Sequence, residues 1–296
     1  MKPDYNLFEK PQLIADRHFW IKAWNAANSK SHFSKRRHDA DIFSFWGKMA
    51  DQFEQNPFQE RLRQRLKRTM DFLEKEKFRF KNSRIIDIGC GTGDFSLAFA
   101  KEGALVTALE PAESLLSRLT DKADKEKVAG IKPLQKEWDQ AWIDGDIAAG
   151  TYDLAFASLN PGIRDPESLD KMSSSTAGSC LLCDIGAGGG RSPSRAELWE
   201  AIFAEKMPPT YYNIIYPYCY LYSCGYDPTL KTWTDLWSEN QPLEDAVESA
   251  IDFFSLYTEP GKALEEVIEK YFRRRSVNGV YREEYPVRMG LLYWKA

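Results

Sequence analysis

The run Ile85-Ile86-Asp87-Ile88-Gly89-Cys90-Gly91-Thr92-Gly93-Asp94-Phe95 restricts the possible folds of this chain more than any other stretch. A short apolar segment ends in glycines at alternate positions and then passes into residues suited to a helix. That order describes the first strand of a parallel sheet, a tight loop and the helix that returns over the sheet. The loop needs glycines because side chains would hold a bound cofactor away from the backbone.

The rest of the chain follows from that start. Beyond residue 83 strands are expected at 84–88, 105–109, 131–134, 152–157 and 180–185, with helices at 94–102, 112–123 and 166–173 between them. Strands separated by helical segments predict a doubly wound, mostly parallel α/β sheet with right-handed crossovers. A glycine-rich loop (186–194) leads to a helix containing Leu198, Trp199, Ile202 and Phe203. An aromatic cluster follows: Tyr211, Tyr212, Tyr216, Tyr218, Tyr220 and Tyr222, closed by Gly225. A strand at 230–237, helices at 243–254 and 261–274, and a closing strand at 287–294 complete the pattern.

Upstream, residues 1–40 read as short helices or an irregular arm, and 42–50 as a helix. In the helix expected over 58–76, Leu62, Leu66, Met70 and Leu73 form an apolar stripe, with Arg61, Arg63, Arg65, Lys67 and Arg68 on the other faces. The expected organisation is therefore an N-terminal helical segment (1–82) packed on a core domain (83–296). Substrate and lid elements are expected at about 187–280.

Charge is uneven. Residues 1–84 carry 19 Lys and Arg against 11 Asp and Glu, while the whole chain has a net charge of −4. A basic segment can meet an anionic partner, or it can be a solvated helix face packed against an acidic body; the second reading is preferred. No apolar run is long enough for a membrane span. The N-terminus lacks the apolar stretch of a secretory signal, and five scattered cysteines suit a reducing cytoplasm.

The glycine loop has two candidate ligands. A dinucleotide fingerprint needs its third glycine at the sixth position, where this chain has Asp94. A carboxylate there repels a pyrophosphate placed over the helix N-terminus. S-adenosylmethionine carries no phosphate; its ammonium needs acceptors such as Asp87, and its carboxylate can take backbone N–H groups. Glu110, at the end of the second strand, can accept both ribose hydroxyls of either nucleotide.

These residues resemble class I S-adenosylmethionine-dependent methyltransferases. The resemblance rests on 85–93, on Leu109-Glu110-Pro111, on Lys136-Glu137-Trp138-Asp139 and on 152–161. The closing Arg288-Met289-Gly290-Leu291-Leu292-Tyr293-Trp294 resembles the antiparallel last strand of that fold. It implies a seven-stranded Rossmann-like sheet and a cofactor site at Asp87, Gly89, Cys90, Gly91, Gly93, Glu110, Pro111, Glu137, Trp138 and Ser158. Glu137 or Asp139 would accept from the adenine amino group, with Trp138 giving a backbone contact or an apolar wall.

The acceptor side departs from one branch of the family. Enzymes that methylate base amino groups have two prolines and an aromatic after the Asn or Asp of this motif. Here the run is Asn160-Pro161-Gly162-Ile163, so the stacking ring is missing. Asn160 either orients a substrate or holds the loop. Tyr216 and Tyr220 are candidate substrate contacts, with core packing as the alternative. No metal site is expected: on a regular strand Cys180 and Cys183 face opposite ways.

The expected activity is methyl transfer to a small molecule by in-line displacement, with alignment as the main task. The rivals are action on nucleic acid or protein, a cofactor-binding regulator without catalysis, and an NAD-dependent oxidoreductase.

Overall fold

In the computed structural model, which describes residues 14–35, 45–47, 56–210 and 212–296, one seven-stranded sheet runs in the order β3-β2-β1-β4-β5-β7-β6. The strands are β1 (Arg84–Ile88), β2 (Leu105–Leu109), β3 (Ile131–Leu134), β4 (Tyr152–Ser158), β5 (Thr176–Ile185), β6 (Thr229–Pro242) and β7 (Val280–Lys295). The first five are mutually parallel, and β7 runs antiparallel to both β5 and β6. The α/β fold class expected from the strand–helix alternation is the one observed. Strand order reverses between β1 and β4, so their carboxyl ends border the crevice where open parallel sheets take ligands.

Both faces of the central strands are buried, which is why β1 and β4 are apolar almost throughout. On one face lie α1 (Arg17–Ser29), α5 (Trp138–Ile143), α6 (Pro166–Ser175) and α8 (Ile215–Ser223). Their core includes Trp24, Ile86, Trp138, Leu182 and Trp294. On the other lie α2 (Asn56–Lys75) and α3 (Asp94–Lys101), with Phe72, Leu73, Ile85, Phe95, Phe99 and Phe156. The helix α4 (Glu113–Glu126) sits beside α3 through Leu116 and Leu119.

Past β5 the sheet becomes a two-stranded ribbon. β7 pairs with β5 only from Met289 to Lys295, whereas β6 and β7 stay paired as far as Pro242 and Val280. The ribbon leads into α9 (Leu243–Ser255) and α10 (Lys262–Arg275), which pack with α7 (Pro193–Phe203) in a separate core around Trp199, Phe254 and Ile268. Glu283 on β7 fastens α7 to this ribbon. It accepts from Ser194 N (2.9 Å) and from the hydroxyls of Ser192 (2.6 Å) and Ser194 (3.0 Å).

One expectation changes. Arg61 and Arg65 do not lie on a solvated face; with the still exposed Arg68 they turn towards the sheet and ribbon, while Arg63 and Lys67 point to solvent. Tyr216, Tyr218, Tyr220 and Tyr222 of the aromatic cluster lie on α8, which packs on α1. The helix expected over 42–50 is described only at 45–47, where it is helical. Residues 1–13, 36–44, 48–55 and Tyr211 lie outside the described residues.

Candidate active site

The glycine loop and the end of β2 are joined by hydrogen bonds. Leu109 O accepts from both Gly89 N (2.8 Å) and Cys90 N (3.0 Å). Glu110 accepts from Gly91 N through Oε2 (3.1 Å) and from Ala112 N through Oε1 (3.0 Å). Each carboxylate oxygen thus keeps a further acceptor position. Burial pushes the Glu110 carboxyl above its usual range, and the two N–H bonds oppose that rise. Pro111 continues the chain from Glu110 towards α4. The backbone of Gly91 is left-handed (φ +56°), and a Cβ there would meet nothing within 4 Å. The space over Gly91 is therefore open to a ligand.

Beneath the loop, Asp87 is almost fully buried and accepts from Ser96 Oγ at 2.6 Å. Burial pushes its carboxyl up to about 7. Cys90 turns its side chain into the core with Leu97, Leu116 and Leu119, so only its backbone can face a ligand. Asp94, at the start of α3, accepts from Thr92 Oγ1 (2.7 Å) and pairs with Lys122 (3.2 Å).

Across the crevice, Asn160 bridges the two strand ends. Its Nδ2 donates to Ile88 O (2.7 Å) and its Oδ1 accepts from Gly162 N (2.7 Å). A Cβ on Gly89 would lie 2.6 Å from Asn160 Cγ, so glycine is what lets the side chain reach Ile88. Of the two readings of Asn160, the hydrogen bonds favour holding the loop. Ser158 ends β4 with a buried Oγ that has no nitrogen or oxygen partner and lies beside the Cys183 thiol.

On the β5 side, Asp184 accepts from Tyr212 Oη at 2.9 Å, and burial pushes its carboxyl up to about 6. Tyr212 stacks between Trp24 (5.7 Å) and Tyr216 (6.5 Å). Tyr216 is half-buried at the outer end of this stack. Tyr220 is a correction: it is buried, and its hydroxyl donates to Asp170 on α6 (2.8 Å), which makes it a tie between α8 and α6. Cys180 and Cys183 belong to the cores on opposite faces of the sheet.

Comparison with known proteins bears on the choice between the nucleotide ligands. Residues 85–177 match the family model described as a methyltransferase domain. That stretch is similar to a methyltransferase domain. A Geobacillus sp. (strain WCH70) protein, named only provisionally as a methyltransferase, is 44% identical over 45 residues. That match spans 15% of this chain and 18% of the relative's length. The YcgJ protein of Bacillus subtilis shares the fold, with a TM-score of 0.50 at 11% identity over 77% of this chain and 97% of that one.

Of the two roles expected of Trp138, a backbone contact or an apolar wall, its side chain is not placed for the wall. It is buried, and its Nε1 donates to Ser168 O (3.1 Å), so only its backbone is available at the loop. Asp139 is engaged by Lys171 (2.8 Å) and Arg164 (3.1 Å). Glu137 is exposed at the N-cap of α5 and makes no capping bond, which leaves its carboxylate as the available acceptor. Sequence reasoning missed Asp184, although a carboxylate ending an otherwise apolar parallel strand was a usable signal. It also missed that Arg65 faces inward.

Proposed function

We propose that this protein transfers a methyl group from S-adenosylmethionine to a small-molecule acceptor in the cytoplasm. The observation that carries the reading is the glycine loop held against Glu110, with open space over Gly91. When bound, S-adenosylmethionine supplies an electrophilic methyl on a sulfonium. Glu110 would accept the ribose hydroxyls, Glu137 would meet the adenine amino group, and Asp87 would face the ammonium. The cytoplasmic placement rests on five free cysteines.

A small acceptor is favoured by the β4 loop. Ile163, where a base-modifying enzyme needs a stacking ring, is 1% exposed and packed in the core. Among the described residues no helix is long and apolar enough to cross a membrane. Trp24, Tyr212 and Tyr216 would wall the acceptor side, and the ribbon with α7, α9 and α10 would exclude water. For an acceptor that must lose a proton, Asp184 with Tyr212 is the group placed to take it.

Calorimetric titration with S-adenosylhomocysteine and with NAD tests the cofactor; binding of NAD alone would end this reading. Incubation with radiolabelled S-adenosylmethionine and a size-fractionated extract tests the acceptor. Label should appear in the low-molecular-weight fraction. Label confined to RNA, DNA or protein would refute the small-molecule assignment.

Asp87 gives this binding a pH dependence. Only its ionised form attracts an ammonium, so S-adenosylhomocysteine affinity should rise about tenfold between pH 6 and 8, as the buried carboxyl at about 7 loses its proton. Asp87→Asn should flatten the profile. The unliganded fold responds in the opposite sense. Its raised carboxyl holds a proton that the unfolded chain has released, so stability declines as pH rises from about 4 to about 7.

A further inference from the structure

Arg61, Arg65 and Arg68 share one side of α2, at spacings of four and three. The outer two are engaged. Arg61 donates to Ser238 O and lies over the Trp237 ring at 4.9 Å, with Glu239 at 3.9 Å. Arg68 pairs with Asp235 at 3.1 Å and lies over Trp233 at 5.1 Å. Arg65, between them, has no such partner. Its Nε is sealed from solvent without an acceptor, and among the described residues no carboxylate, carbonyl or hydroxyl accepts from its guanidinium. Its ring contact is Phe95, at 5.9 Å, the second residue of α3.

This position borders the crevice. Phe95 packs on Phe156 of β4 at 4.7 Å. Ser158, two residues further along β4, points to the same face, and its buried Oγ has no nitrogen or oxygen partner and lies beside the Cys183 thiol. Cys183 and Asp184 near the end of β5, Asp94 at the start of α3 and Asp235 on β6 are electrostatic neighbours of Arg65, none of them hydrogen-bonded to it. A half-buried cation without a hydrogen-bonded acceptor is costly, and an anionic ligand removes that cost. A carboxylate entering here also finds most donors of the glycine loop in use. Gly89 N and Cys90 N go to Leu109 O, Gly91 N to Glu110, and Gly93 N to Cys90 O.

We propose that Arg65, with Ser158 Oγ as a second donor, is the carboxylate anchor of the transfer site. The guanidinium offers two parallel N–H groups that fit a carboxylate. The inference rests on the methyltransferase reading. Two carboxylates have the right chemistry: the amino-acid end of the cofactor, and an acidic group on the acceptor.

Calorimetry on the full chain separates them. Wild type and Arg65→Met are titrated with S-adenosylhomocysteine and with 5′-methylthioadenosine, which lacks the amino-acid end. The protein loaded with S-adenosylhomocysteine is then titrated with benzoate and with its neutral counterpart benzamide. Arg65 holds the cofactor if the variant binds S-adenosylhomocysteine at least tenfold more weakly while methylthioadenosine changes less than twofold. It holds the acceptor if cofactor affinity persists and a wild-type preference for benzoate over benzamide disappears. Equal losses for both nucleosides, or no change in any titration, would overturn the anchor. Arg65→Lys, which keeps the charge and loses the fork, serves if the methionine variant fails to fold, and should show a smaller loss of the same selectivity. A wild type that binds neither nucleoside would instead remove the methyltransferase reading.

Discussion

Replacing Glu110 with alanine lowers the affinity for S-adenosylhomocysteine roughly a hundredfold. The side chain offers one further acceptor position on each carboxylate oxygen, beyond the bonds from Gly91 N and Ala112 N. Hydrogen bonds to a charged acceptor contribute about 1.5–3 kcal/mol each. Losing two, partly replaced by water, costs about 2–3 kcal/mol, which is roughly thirty- to a hundredfold or somewhat more in affinity. The variant also strands two backbone donors, so the loop should loosen as well. Calorimetric titration checks the affinity, and hydrogen exchange at Gly91 and Ala112 checks the loosening. Unchanged affinity would count against the ribose assignment.

Gly93→Ala should be the most destabilising change within the loop, by about 3 kcal/mol. Gly93 has φ +82°, where an L-residue costs about 1–2 kcal/mol. An added Cβ would also lie 2.1 Å from Leu119 Cδ1 and 2.7 Å from its Cβ, on a side chain that is fully buried. Overpacking of this kind adds about 1–3 kcal/mol. The urea midpoint should fall by roughly 1 M or more. Gly91→Ala is the control. It carries a similar backbone penalty but meets no atom within 4 Å, so it should be clearly more stable than Gly93→Ala and still bind the cofactor poorly. Equal stability of the two variants would contradict the role given to Leu119.

The parallel half of the sheet was legible because its residues are apolar and bounded by breakers. β1, β2 and β3 have the bounds expected from the sequence. The first part of β5, Thr176–Ser179, was not foreseen, since Thr-Ala-Gly-Ser has no strand pattern and is set by pairing with β4. A Cβ on Gly178 would lie 2.2 Å from Asp153 O, so close packing against β4 selects that residue. The outer ribbon was hidden for a related reason. Ser238-Glu239-Asn240-Gln241 is polar and reads as loop, yet every one of these residues pairs with β7. α8 escaped because its aromatics surround the helix and give no period.

At the site, the glycines and Glu110 could be read locally, because neighbours in sequence make their contacts. Trp138, Tyr220 and Arg65 could not. Trp138 finds Ser168, Tyr220 finds Asp170 and Arg65 finds Phe95 only once distant segments meet.

The position of β6 at the rim of the sheet has a further consequence. An outermost strand of 14 residues presents unpaired main-chain groups on which another chain can add a strand. Arg61 blunts that template by donating to Ser238 O, and Arg61 and Arg68 lay their guanidinium groups over Trp237 and Trp233. The side chains that moor α2 therefore also take up a main-chain acceptor on the outermost strand. The helix that carries Arg65 and the rim of the sheet are held by the same contacts.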